Sequence, residues 1–72
     1  MVKRDNADSV GDDMPKQQAR ARDVLGHYRA IGPPGAFGAA MIERDLREAE
    51  EAMASGDIVR IVRAYAALKE IK

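Results

Sequence analysis

The chain has 72 residues, with 12 basic and 12 acidic side chains, one histidine and no cysteine. This length allows one domain with a small core, and the absence of cysteine excludes a disulfide framework and a thiolate metal site. Because no apolar run approaches the roughly 20 residues that span a bilayer, and the N-terminus lacks the apolar core of a signal peptide, we expect a soluble cytoplasmic protein.

Residues 1–14 are rich in Asp, Asn, Ser and Gly and show no apolar periodicity. The apolar side chains Val2 and Val10 are too few to offset the entropy lost on ordering the chain. This composition predicts a disordered N-terminal arm, which serves either as a solvated terminus or as an interaction tail.

A first helix is predicted over residues 15–31, capped by Asp12 or Asp13, with Pro15 in its first turn. Its apolar side chains recur at steps of three and four residues, which is typical of one face of an α-helix. These side chains are Ala21, Val24, Leu25, Tyr28 and Ile31.

The joint that follows begins with Gly32, which can adopt a left-handed conformation and end the first helix. Pro33 and Pro34 cannot continue that helix. A second helix is predicted over residues 36–55, with a stripe widened at its start by Phe37 and Met41. The stripe consists of Ile42, Leu46, Ala49 and Met53.

Gly56 suits the C-terminal cap of this helix, and Asp57 suits the N-cap of a third helix over residues 57–71. Because the joint is so short, we expect helices 2 and 3 to form an antiparallel hairpin. The third helix carries the most hydrophobic stripe of the chain, Ile58, Ile61, Val62, Tyr65, Leu68 and Ile71. The prediction is therefore an all-α, three-helix domain at residues 15–72.

Charge differs between the three segments. Residues 15–31 hold four basic and one acidic side chain, and residues 57–72 hold four and two. Residues 32–56 hold two basic and five acidic side chains, so an acidic helix separates two basic ones. This pattern favours packing in which helix 2 lies against both of the others, although exposed ion pairs contribute little free energy.

A core this small leaves the isolated domain marginally stable, and small domains often gain stability by associating. We therefore predict a non-enzymatic protein–protein interaction module that binds a partner or a second copy. The candidate interface consists of Phe37, Met41, Ile58, Ile61, Val62, Tyr65 and Leu68.

The alternative function is nucleic-acid binding through a basic helix face. Arginines bind phosphates well, and helical spacing can gather several of them on one surface. The zero net charge and the few aromatic residues argue against it. The candidate residues are Arg20, Arg22, Arg29, Arg60 and Arg63.

Patterns that suggest chemistry have simpler explanations. His27 lies four residues after Asp23, but no Ser or Cys nucleophile accompanies the pair. The acidic residues of helix 2 lack the second histidine-bearing helix of a carboxylate metal site. The glycines at 32, 35 and 38 lack the lysine and the strand of a phosphate loop. We expect no catalytic site, cofactor, metal or small-molecule substrate.

The chain resembles small uncharacterised proteins of tailed phages and prophages in the run Gly32-Pro33-Pro34-Gly35-Ala36-Phe37-Gly38-Ala39-Ala40-Met41-Ile42, and further on in Ala54-Ser55-Gly56-Asp57 and Arg63-Ala64-Tyr65. The resemblance covers roughly residues 19–71. It implies a bacterial host or phage-infected cell and an accessory or assembly role, and it assigns no functional residues.

Overall fold

The computed structural model describes residues 6–72, with side chains from Val10 onward. Over this range the chain forms helix α1 (Asn6–Ile31), a 3-10 turn (Pro33–Gly35), helix α2 (Ala36–Ser55) and helix α3 (Ile58–Glu70), without a strand. The predicted all-α three-helix unit is confirmed, as is the hairpin of α2 and α3. Within the described residues, none of the helices combines the length and apolarity required for a membrane span.

Helix α1 begins at Asn6, upstream of the predicted start at Pro15. Residues 6–14 are therefore helical where a disordered arm is predicted, and residues 1–5 of that arm lie outside the described residues. Val10 is buried and Met14 is fully buried, so the apolar stripe of α1 extends over two further turns. Pro15 has no backbone N–H and therefore removes one hydrogen bond inside the helix. The free energy gained by burying Met14 in the core helps to offset that loss.

The joint between α1 and α2 depends on Gly32, whose φ of 87° and ψ of −148° lie in a region open almost only to glycine. Its amide donates to the carbonyl of Arg29 and closes α1. The positive φ is as predicted, although ψ differs from that of a left-handed helical cap. Pro33 and Pro34 then form the 3-10 turn that leads into α2.

The corner between α2 and α3 has the predicted caps. Gly56 adopts the left-handed conformation, with φ 72° and ψ 8°, and its amide donates to the carbonyl of Ala52. The carboxylate of Asp57 accepts hydrogen bonds from the amides of Val59 and Arg60, at 3.0 and 3.3 Å. Both caps satisfy backbone groups that a helix end leaves without partners, so the reversal is determined by local sequence.

The core lies along the line where the three helices meet, and each helix contacts the other two. Half of its buried side chains are alanines, which let the helix backbones approach closely. The larger members are Met14, Leu25, Ile42, Leu46 and Leu68, and the alanines are Ala21, Ala39, Ala49, Ala52 and Ala64.

Candidate protein-interaction surfaces

The predicted interface residues differ widely in exposure. The side chain of Phe37 is 79 % exposed, Ile58 54 % and Val62 41 %, and Met41 is also exposed. Ile61 and Tyr65 are partly buried against the core. Leu68 is fully buried, so its assignment to the interface is corrected: its side chain holds α3 on the other two helices and is not available to a partner.

The exposed members lie near opposite ends of α2. Phe37 is in its first turn, whereas Ile58 follows its last residue. The 20 residues of α2 span about 30 Å at 1.5 Å per residue. The predicted single interface is therefore divided into two groups.

We name the first group the turn surface and the second the α3 strip. The turn surface consists of Ile31, Phe37 and Met41, and the α3 strip consists of Ile58, Val59 and Val62. Ile31 and Val59 are absent from the predicted interface. Val59 could have been recognised, because it is an apolar residue outside the core stripe of its helix.

Beside the turn surface, an open groove of about 340 Å³ separates the start of α2 from the end of α3. Met41 belongs to both the turn surface and the groove. Gly38 forms part of the wall, and a β-carbon added there would lie 3.2 Å from the ring of Tyr28. The remaining lining consists of Tyr28, Ile42, Asp45, Ala67, Glu70, Ile71 and Lys72.

Four of the five arginines of the nucleic-acid alternative are distributed over three helix–helix contacts, and Arg63 is exposed on α3. Arg22 and Arg29 of α1 pair with Glu50 and Glu43 of α2. Arg60 of α3 pairs with Glu48 and Glu51 on α2, at 3.1 and 3.6 Å. The acidic α2 therefore pairs with both basic helices, as the charge pattern predicts. Each exposed pair contributes about 0–1 kcal/mol, which influences helix arrangement more than stability.

A second groove, of about 450 Å³, lies between α1 and α2. Its charged lining contains both signs, since Arg22, Arg29 and Arg47 alternate with Glu43 and Glu50. The carboxylates already occupy two of the three guanidinium groups. The groove therefore lacks the single-sign field that would attract a phosphate backbone.

Arg20 has a structural role at the third contact, between α1 and α3. One terminal nitrogen of its guanidinium donates to the carbonyl of Ile71 at 2.7 Å, and the other donates to the carbonyl of Leu68 at 2.6 Å. These carbonyls lie at the C-terminus of α3, the negative end of the helix dipole, where that of Leu68 also accepts the amide of Ile71 at 3.2 Å. Arg20 thus caps α3 from another helix.

The network continues along α1. The Nε atom of Arg20 donates to Gln17, whose amide donates to the carboxylate of Asp13. The same carboxylate oxygen accepts the hydroxyl of Tyr65 on α3 at 2.7 Å. The hydrogen bond from Tyr65 lowers the pKa of Asp13 most, and the hydrogen bond from Gln17 lowers it further. Because the Tyr65 hydroxyl donates to Asp13, the pKa of Tyr65 is raised. Asp13 is therefore a tertiary contact and not the N-cap that the sequence suggested.

We expect Arg20→Ala to lower the free energy of unfolding by about 2 kcal/mol, because it removes two charge-assisted hydrogen bonds. Arg20→Lys should recover only part of the loss, since an ammonium cannot reproduce the guanidinium fork. Urea unfolding measures both effects. The matched control is Arg63→Ala on the exposed side of α3, expected to change stability by less than about 0.5 kcal/mol. Equal effects of Arg20→Ala and Arg63→Ala would contradict the capping role.

The other candidate side chains lie on α1 and α2. His27 and Asp23 are both exposed on α1. Among residues 6–72, no group of three His, Asp or Glu side chains is placed to hold a metal ion. The acidic side chains of α2 instead pair with arginines.

Comparisons of the chain with protein-family models, with curated proteins and with solved structures found no match. The fold and the two exposed surfaces are therefore the observations from which a function is inferred.

Proposed function

We propose that this chain is a non-enzymatic helical protein–protein interaction module that binds a protein partner at the turn surface. Its setting is that of a phage or prophage accessory or assembly protein, in a bacterial host or phage-infected cell. The exposure of Phe37 supports the proposal most strongly.

Exposing Phe37 costs free energy that a partner would recover. Burying a phenylalanine side chain is worth about 1.5–3 kcal/mol relative to leaving it in water. Phe37 is 79 % exposed even though an apolar groove begins one helical turn away at Met41. Ile31, at the end of α1, is also exposed at this end of the molecule. Clustered large apolar side chains beside a groove are typical of binding surfaces.

The groove defines the chemistry of the partner. Its walls are mainly apolar, formed by Tyr28, Met41, Ile42 and Ile71, and its volume of about 340 Å³ accommodates one large aliphatic or aromatic side chain. Asp45, Glu70 and Lys72 also line it and can bind polar groups on either side of that side chain. A helix presenting one apolar anchor, with Phe37 packed beside it, fits this arrangement.

The test is affinity capture with tagged protein from lysates of lysogenic or phage-infected bacteria, followed by titration of the proteins recovered. We expect Phe37→Ser to weaken binding about tenfold or more, because about 1.4 kcal/mol is a factor of ten in affinity. Ala67→Gln, which places a larger polar side chain in the groove, should have a similar effect.

The matched control is Ala40→Ser, at an exposed position of α2 outside the groove, which should retain binding. Circular dichroism and urea unfolding establish that all three variants are folded. If both Phe37→Ser and Ala67→Gln recover the same proteins with unchanged affinity, the turn surface is not the binding site.

A further inference from the structure

The start of α1 is helical although its local sequence opposes a helix. Pro15 lies inside the helix, where it has no N–H to donate and its ring crowds the carbonyl four residues earlier, that of Gly11. A residue that precedes proline disfavours the α conformation, yet Met14 adopts it. Gly11 is itself a poor helix former. The helical form of residues 6–14, which we name the strap, therefore depends on contacts with the rest of the molecule.

Few contacts hold the strap in place. Among its described side chains, Val10 and Met14 are buried, and Asp13 is partly exposed. The carboxylate of Asp13 accepts the hydroxyl of Tyr65 on α3 at 2.7 Å. Two apolar side chains and one charge-assisted hydrogen bond thus offset the unfavourable local sequence. Segments with so few buried contacts open at a lower free energy than the whole molecule unfolds.

We propose that the strap opens as one unit and that α1 then begins next to Pro15 instead of at Asn6. The open form suits the local sequence, because proline is tolerated in the first turn of a helix. Asp13 can then cap the shortened helix, as aspartate commonly does. Its carboxylate therefore has two alternative partners, the hydroxyl of Tyr65 in the closed form and a backbone amide of the first turn in the open form.

Opening of the strap uncovers an apolar site. Met14 leaves the core that α2 and α3 complete, and the hydroxyl of Tyr65 loses its acceptor. The occupant of this site in the closed form is the chain's own Met14, so the strap is an intramolecular cover. Met14 lies about 25 Å along α1 from Ile31 of the turn surface, at 1.5 Å per residue. The opening is therefore independent of what the turn surface binds.

Native-state hydrogen exchange of the full chain, followed amide by amide by NMR, tests the proposal. The amides of residues 11–14 should be protected to similar extents, but less than the core amide of Leu25 by about tenfold or more. Ile42 lies beside Tyr28 in the groove, at the other end of α1 from the strap. Ile42→Val should therefore speed exchange of Leu25 by about threefold and leave exchange at residues 11–14 unchanged.

Two further substitutions should shift the strap in opposite directions. Tyr65→Phe removes the hydroxyl that binds Asp13 and should speed exchange at residues 11–14 by about tenfold, as expected for a hydrogen bond to a charged group. Pro15→Ala restores the missing N–H and should slow exchange there by about tenfold or more. The matched control is Tyr28→Phe, which removes a hydroxyl near the other end of α1 and should leave exchange at residues 11–14 unchanged.

Several outcomes would overturn the proposal. Protection of residues 11–14 equal to that of Leu25 would mean that the strap opens only when the whole chain unfolds, and so would their joint acceleration in Ile42→Val. A complete lack of protection would mean that the strap is never closed. Protection that rises steadily from residue 11 to residue 14 would indicate a fraying helix end and not one unit. Unchanged exchange at these residues in either Tyr65→Phe or Pro15→Ala would equally refute the two-start helix.

Discussion

Replacing Gly35 with alanine is expected to lower the free energy of unfolding by about 3 kcal/mol or more. A β-carbon at this position would overlap the carbonyl oxygen of Tyr28 and would lie 3.1 Å from its carbonyl carbon and 3.3 Å from the β-carbon of Ile31. Backbone atoms cannot rotate away as a side chain can, so α1 and α2 must separate at the joint. Overpacking usually costs about 1–3 kcal/mol, and a clash with backbone is at the upper end or beyond.

The backbone angles of Gly35 allow a loss of stability in the alanine variant to be assigned to steric overlap alone. Its φ of −90° and ψ of −1° are open to other residues, so alanine adds steric overlap without dihedral strain. The matched control is Gly26→Ala on the exposed side of α1, where a β-carbon meets nothing within 4 Å.

Urea unfolding followed by circular dichroism measures both variants. Gly26→Ala should raise the free energy of unfolding by about 0.8–1 kcal/mol, because alanine favours a helix interior over glycine. The same substitution, glycine to alanine, is therefore expected to lower the free energy of unfolding at position 35 and to raise it at position 26. A Gly35→Ala chain as stable as the wild type would mean that the α1–α2 joint is not packed as described.

The second half of the fold could be predicted because its determinants are local. Gly56 and Asp57 cap helices through residues within a few positions of themselves, so their identities are sufficient to predict the corner. The start of α1 depends on distant contacts instead. Met14 is buried in a core that α2 and α3 complete, and Asp13 bonds to Tyr65, 52 positions away. The composition of the first residues of α1 predicts disorder, because composition carries no information about contacts with residues far along the chain.

The candidate site was predicted less completely, for a reason that lies in helix geometry. An apolar stripe is about 100° wide or more, and periodicity identifies the stripe without showing which edge of it faces the core. In α3 the neighbouring helices cover Ala64 and Leu68 and leave Ile58 and Val62 exposed. The sequence therefore predicted the helix and its apolar residues, but it could not separate buried from available ones.

Leu68→Ala distinguishes a core role from an interface role for this residue. The side chain is fully buried, and truncating a buried leucine costs about 2–5 kcal/mol through lost burial and a residual cavity. That is a large part of the stability of a small domain, for which about 5 kcal/mol is a reasonable total. We therefore expect Leu68→Ala to unfold in much less urea than the wild-type chain, with α3 detaching from α1 and α2.

Val62→Ala is the matched control on the same helix, since it also truncates an aliphatic side chain but at an exposed position. It should change the free energy of unfolding by less than about 0.5 kcal/mol. The two residues are six positions apart in one stripe, so the stripe alone predicts similar behaviour for both. A small effect of Leu68→Ala would contradict the packing of α3 on this face, and with it the division of the helix into core residues and the exposed α3 strip.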